Sequence, residues 1–154
     1  MKALDIASPE AVKTGLLFSS CAPGNIELRN RIVMAPKTCS RSPENIPGDL
    51  VATYYGQRAS PRLITEGTSP PANGVGYARI PGIFLTEQVE GWKKVTSAVH
   101  AKGGRIFLQM MHTGRIGHPA NLPEGGRLLA PSAVRAAGEI SIPKACSRIP
   151  GLSL

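Results

Sequence analysis

Apolar residues in this chain fall into three short runs. Two segments of helical spacing lie between the runs, and the rest is polar and rich in glycine and proline. Arg31-Ile32-Val33-Met34-Ala35, ended by Pro36, reads as a buried strand. Leu50, Val51, Tyr54 and Tyr55, with Arg58 continuing the face, predict a helix from Leu50 to about Ser60 with Asp49 as its N-cap. Leu63-Ile64-Thr65 predicts a second strand, closed by Glu66-Gly67-Thr68. After a long loop from Ser69 to Phe84, Thr86 caps a helix over Glu87 to Ala101. Val89, Trp92, Thr96 and Val99 form its inner stripe, and Gly103 is its left-handed stop. Arg105-Ile106-Phe107-Leu108-Gln109-Met110 is the third strand; residues 1–30 and everything beyond Met111 read as loop.

The order is therefore β-α-β-α-β. Near-continuous apolar strands joined through helices imply a parallel sheet. No Gly-x-Gly-x-x-Gly follows any strand, which disfavours a dinucleotide-binding half. The other parallel architecture is the (β/α)8 barrel, whose chemistry sits in the loops after the strands. Pro36-Lys37-Thr38, Glu66-Gly67-Thr68 and Gln109-Met110-Met111-His112 would then converge on one rim.

Composition narrows this further. Gly 17 and Pro 14 make up about a fifth of the 154 residues, more turn-forming residue than a helical bundle tolerates. The cysteines, Cys21, Cys39 and Cys146, are far apart with no Cys-x-x-Cys, so neither a disulfide framework nor a structural zinc site is indicated. No run reaches the ~20 apolar residues of a membrane helix, nor does Leu16-Leu17-Phe18 make a signal-peptide core, so the expected setting is cytoplasmic, without a membrane partner. The net charge of +8 admits a basic nucleic-acid-binding module as an alternative. The basic residues are nevertheless dispersed and aromatics are only 5%, a pattern that reads as a solvated surface and no nucleic-acid partner.

Several segments, in order, carry a resemblance. They are Ile32-Val33-Met34-Ala35-Pro36 with Thr38, Ser40-Arg41-Ser42, Tyr54-Tyr55 with Gln57-Arg58-Ala59-Ser60, and Thr65-Glu66-Gly67-Thr68. Gly76-Tyr77, Pro81-Gly82-Ile83, Glu87-Gln88, Trp92-Lys93 and Gln109 with His112-Thr113-Gly114-Arg115 continue the series. Together they resemble the Old Yellow Enzyme family of FMN-dependent NAD(P)H:ene reductases, nearest its N-ethylmaleimide reductase-like branch, from about Leu17 to about Glu139. The resemblance implies a TIM barrel that holds FMN non-covalently, takes hydride from NAD(P)H and passes it to an electron-poor alkene. It also implies that Pro36 and Lys37 lie against the flavin ring, that Thr38 donates to flavin O4, and that Gly67 makes room beside the ring. Gln109 would match flavin N3–H and O2 with one carboxamide. Tyr77 and Met111 would border the substrate. Taken singly, each of these is ordinary strand-end or turn chemistry; their joint order is what gives them roles. No catalytic residue and no metal ligand is assigned.

The sequence departs from that pattern at Lys37, where an apolar residue is usual, and at Cys39, where Arg is usual. Pro61-Arg62 stands where small residues are usual, and the segment is one residue short of the pattern. The expected division is a lead-in over 1–16, the first three βα units of the barrel over 17–140, and an unrelated, disordered tail over 141–154. A whole barrel needs ~250 residues. The expectation is thus a partial barrel, inactive by itself, or a non-enzymatic fragment that needs a complementing C-terminal partner.

Overall fold

The computed structural model describes residues 14–59, 62–142 and 148–150. In chain order the elements are α1 (Thr14–Leu17), β1 (Val33–Met34), α2 (Asp49–Gln57), β2 (Arg62–Ile64), α3 (Thr86–His100), β3 (Arg105–Phe107), β4 (Glu139–Ser141) and β5 (Arg148–Pro150). Short 3-10 turns occur at Pro43–Asn45, Ala72–Gly74 and Pro119–Asn121. β1, β2 and β3 form one parallel sheet in the order β1-β2-β3. Strands that follow each other in sequence are thus neighbours in space, with no reversal of order. That is the winding of a barrel rather than of a doubly wound sheet.

Register explains the two faces. Met34, Leu63 and Ile106 stand in one row across the sheet. They pack on the core formed by Val51 and Tyr55 of α2 and Trp92, Val95 and Val99 of α3. The alternate positions point the other way: Val33 is 42% exposed and Phe107 38%. The Arg62 guanidinium lies 6.0 Å from the centre of the Phe107 ring on that second face. A period of two places every other residue away from the helices. The second face mixes Val33, Ile64 and Phe107 with Arg62 and Arg105, and only the first face is covered by helices among the described residues.

The helices differ from the sequence expectation in detail. α2 begins at Asp49 itself, with Gly48 as its N-cap and no side-chain cap. The Asp49 carboxylate instead lies 3.5 Å from Lys94 Nζ on α3. Leu50 does not belong to the inner face and is 63% exposed; Val51 and Tyr55, one turn apart, are buried. In α3 the buried stripe is Gln88, Gly91, Trp92, Val95 and Val99, while Val89 is exposed. Thr86 is the first helical residue rather than the cap. Gln88 Oε1 reaches back to accept from the Phe84 and Leu85 N–H groups, which precede the helix, and so ties its first turn to the incoming chain. Gly103, with φ +73°, ends the helix in the left-handed region, its N–H donating to the His100 carbonyl.

The strands are shorter than the apolar runs: β1 keeps only Val33 and Met34, and β3 stops at Phe107. β2 takes in Arg62 and leaves Thr65 to the loop. The long β2–α3 connection is anchored at its base, where Ser69 N–H donates to Pro81 O and Ile83 N–H to Ser69 O. The segment expected to be a disordered tail contributes a strand. Arg148–Pro150 pairs antiparallel with Glu139–Ser141, across the expected boundary at 140. Residues 1–13 of the expected lead-in, the Ser60-Pro61 break, and tail residues 143–147 and 151–154 lie outside the described residues.

Candidate functional site

Because the three central strands are parallel, their C-terminal ends share one edge of the sheet. Pro36-Lys37-Thr38 follows β1, Thr65-Glu66-Gly67-Thr68 follows β2, and Gln109-Met110-Met111 follows β3. The β2 and β3 ends stay joined by hydrogen bonds. Thr65 N–H donates to Phe107 O at 2.9 Å and Thr68 N–H to Gln109 O at 2.9 Å, and Met111 N–H donates to Thr68 O at 2.9 Å. Between Thr65 and Thr68 the ladder is interrupted. Gln109 N–H donates to the Thr65 hydroxyl (3.0 Å) instead of to a backbone carbonyl. Glu66 and Gly67 thus bulge out of the ladder, a device that re-aims side chains at strand ends.

The bulge turns Glu66 inward, where it is 1% exposed. Its Oε2 accepts from Cys39 N–H at 2.9 Å, and its own N–H donates to Tyr55 Oη at 2.7 Å. Its carbonyl accepts from the Thr65 and Thr68 hydroxyls at 2.9 and 3.1 Å. Among the described residues the ion pairs are Lys93–Glu90 and Lys94–Asp49, so no cation neutralises Glu66 at close range. Burial raises its carboxyl above the ordinary range, against the pull of the Cys39 and Ser40 N–H groups. Burial likewise raises the Tyr55 hydroxyl, and also that of Tyr54, which sits beside the Cys39 thiol.

A cleft of about 400 Å³ opens beside this carboxylate, lined by Lys37, Thr38, Cys39, Arg41, Leu50, Val51, Tyr54 and Glu66. Pro36, Lys37 and Thr38 are exposed, as is Gln109. Among the described residues neither the Thr38 hydroxyl nor the Gln109 carboxamide has a protein hydrogen-bond partner. Gly67 is buried beneath Met111: a Cβ built on Gly67 would come within 2.6 Å of the Met111 Sδ and Cε atoms. The glycine therefore makes room for a side chain of this chain. Tyr77 stands apart, half-buried in the β2–α3 connection beside Gly76, and no hydrogen bond or ring contact joins it to the others among the described residues.

Nothing in the sequence alone marks Thr65 and Glu66 as the junction of the rim or Tyr55 as a hydrogen-bond acceptor. The nearest signal is an acidic residue directly after an apolar strand. Its partner Cys39 is 27 residues away and was not legible as such. Among the described residues no group of three or more His, Cys, Asp or Glu could hold a metal ion, and no helix is long and apolar enough to cross a membrane.

Comparison with known proteins places this geometry. The NADH:flavin oxidoreductase / NADH oxidase family matches residues 16–144. A probable flavin mononucleotide-dependent alkene reductase of Leishmania infantum is 44% identical over 117 residues, covering 75% of this chain and 32% of the relative. Among solved structures, morphinone reductase is 42% identical with a TM-score of 0.81, over 89% of this chain and 38% of that one. An Old Yellow Enzyme homologue from Zymomonas mobilis gives 36% identity and a TM-score of 0.81, over 90% and 39%. This chain spans 29 to 37% of the length of the curated relatives it matches first. The β1-β2-β3 sheet with its two crossover helices is part of an Old Yellow Enzyme-type TIM barrel, and the chain belongs to the NADH:flavin oxidoreductase / NADH oxidase family.

Proposed function

We propose that this chain carries one side of an FMN site for NAD(P)H-dependent reduction of electron-poor alkenes. The carrying observation is that the Thr38 hydroxyl and the Gln109 carboxamide, in the segments that follow the two outer strands of the sheet, are both exposed at the rim without protein partners among the described residues. One hydroxyl donor and one donor–acceptor amide are the groups that suit the polar edge of a flavin. Pro36 and Lys37 would offer backbone to the ring, with the Gly67 bulge close by. Met111, lying over Gly67, and Tyr77 would border the alkene. The chemistry that FMN supplies when bound is hydride relay from NAD(P)H to the alkene. The chain's own residues bind and orient: Thr38 favours negative charge at the edge it faces, and Gln109 fixes the ring's register.

The rim is one-sided, since Lys37, Thr38 and Gln109 all face solvent. We therefore propose weak FMN affinity and no alkene turnover for this chain by itself. Flavin titration followed by an NADPH-driven enone assay tests both. Weak binding that falls further in Thr38→Ala and Gln109→Ala is expected. Binding indifferent to both substitutions sinks the site, and a stoichiometric yellow protein that reduces the enone sinks the claim of inactivity.

A second reading rests on the open sheet face. Val33 and Phe107 are exposed on strands whose outer edges are unpaired among the described residues, which suits a partner that supplies further strands. Co-expression with the later two thirds of a related barrel would then raise solubility and flavin content; no gain counts against it.

A further inference from the structure

We propose that Glu66 is the positioning residue of this rim, holding the Pro36–Thr38 segment in register with the Gly67 and Gln109 segments through a single buried carboxylate. The inference rests on the FMN reading only for what the rim is for; the positioning itself stands on hydrogen bonds within the protein.

Three polar groups of one residue reach three elements. The carboxylate takes Cys39 N–H, next to Thr38. The backbone N–H is fixed by Tyr55 Oη on α2. The carbonyl takes the Thr65 hydroxyl, which in turn accepts Gln109 N–H from the β3 end. Gly67 follows directly. Each rim segment with a proposed flavin contact is therefore one or two hydrogen bonds from Glu66. Removing the carboxylate would release the β1 loop while leaving the β2–β3 ladder bonds intact, because those run through Thr65 and Thr68.

The requirement is for an acceptor rather than a charge. A hydrogen bond from a backbone N–H needs only an sp2 oxygen, which glutamine also supplies. The groups facing the carboxylate are the Cys39 thiol and N–H, the Ser40 N–H, the Tyr54 and Tyr55 hydroxyls, and Lys37 and Arg41 on the shared cleft. Glutamine leaves all of them in place.

The test compares the full chain with Glu66→Gln and Glu66→Leu, reading Cys39 amide exchange by isotope-labelled NMR and FMN affinity by fluorescence quenching. Protection of the Cys39 amide is expected in the parent and in Glu66→Gln, falling about tenfold in Glu66→Leu. FMN affinity should fall in parallel and return with glutamine. A parent Cys39 amide that exchanges as fast as in Glu66→Leu overturns the proposal, as does failure of glutamine to restore protection. Should the leucine variant not fold, the parent Cys39 amide shift must still move with pH on Glu66 ionisation and stay flat in Glu66→Gln; a flat parent overturns the proposal. Absence of FMN binding in every form counts against the flavin reading, while the amide pattern still decides the role of Glu66.

Discussion

The thioether of Met111 occupies the space that any side chain on Gly67 would need, with Sδ and Cε both 2.6 Å from the position of a Cβ there. The contact joins the ends of β2 and β3 at the rim. It gives the glycine a function inside the protein that does not depend on a cofactor. Gly67→Ala should therefore destabilise the chain by about 1 kcal/mol, the low end of overpacking, because the flexible end of Met111 can yield part of the space. Met111→Ala should relieve most of that cost, because it removes the atoms in the way. A double-mutant cycle by urea denaturation is expected to show a favourable coupling of about 1 kcal/mol. Additive effects would mean that the methionine simply swings aside.

Two helical glycines should respond to alanine with opposite signs. Gly91 in α3 faces the Pro47 carbonyl and ring so closely that a methyl group would meet backbone. That cost, of about 1–3 kcal/mol, exceeds the ~1 kcal/mol gained in helix propensity, so Gly91→Ala is expected to lower stability. Gly56 in α2 has Ala98 Cβ at 3.5 Å from the same construction, an ordinary contact. Gly56→Ala should raise stability by about 0.5–1 kcal/mol. Thermal unfolding of the two variants checks the pair, and equal signs would contradict it.

Element type and order were legible because hydrophobic period is a local property. Arg105-Ile106-Phe107 and the Trp92–Val99 segment carry theirs in a few residues. The buried stripe of α3 departs from the one its spacing predicts because Gln88 is polar yet 0% exposed. Its Oε1 accepts from two backbone N–H groups that precede the helix, while its buried Nε2 has no partner among the described residues, and a periodicity argument scores the residue as a surface one. Asp49 looked like a cap because its residue type suits one, but Gly48 already holds that position. Lys37, Thr38, Gly67 and Gln109 were nominated through resemblance and do share the strand-end edge. The sequence places Glu66 on the rim but gives it no role, since an acid is ordinarily solvated and only the fold brings Cys39 N–H and Tyr55 Oη to it.

The indole of Trp92 is held by a single polar bond: its Nε1–H donates to Gly82 O at 3.1 Å in the interior. This ties α3 to the base of the long β2–α3 connection, and Gly82 N–H in turn donates to Asn45 O of the Pro43–Asn45 turn. Trp92→Phe keeps most of the apolar area but leaves the Gly82 carbonyl unpaired. A loss of about 1–3 kcal/mol is expected. As Trp92 is the only tryptophan, unfolding should be followed by circular dichroism in parent and variant alike. A change within experimental scatter would show that solvent replaces the bond without cost.

The buried carboxyl of Glu66 makes stability depend on pH in a defined direction. Its folded-state affinity for a proton is raised by burial, whereas in the unfolded chain it titrates near the ordinary value of 4.5. Well below that value both states hold the proton, and the group contributes no difference. As pH rises past 4.5 the unfolded chain loses its proton first, so the folded chain carries more bound protons and becomes progressively less stable. The decline stops once pH exceeds the raised folded-state value, and it is specific to this residue. Glu66→Gln, which keeps an acceptor for Cys39 N–H but cannot ionise, should therefore gain stability relative to the parent as pH is raised from about 4 towards neutrality. Denaturant midpoints for both proteins across that range measure the difference. A parent that instead gains on the glutamine variant with rising pH would mean that the Cys39 and Ser40 N–H groups outweigh burial, and that the carboxylate is stabilised in place.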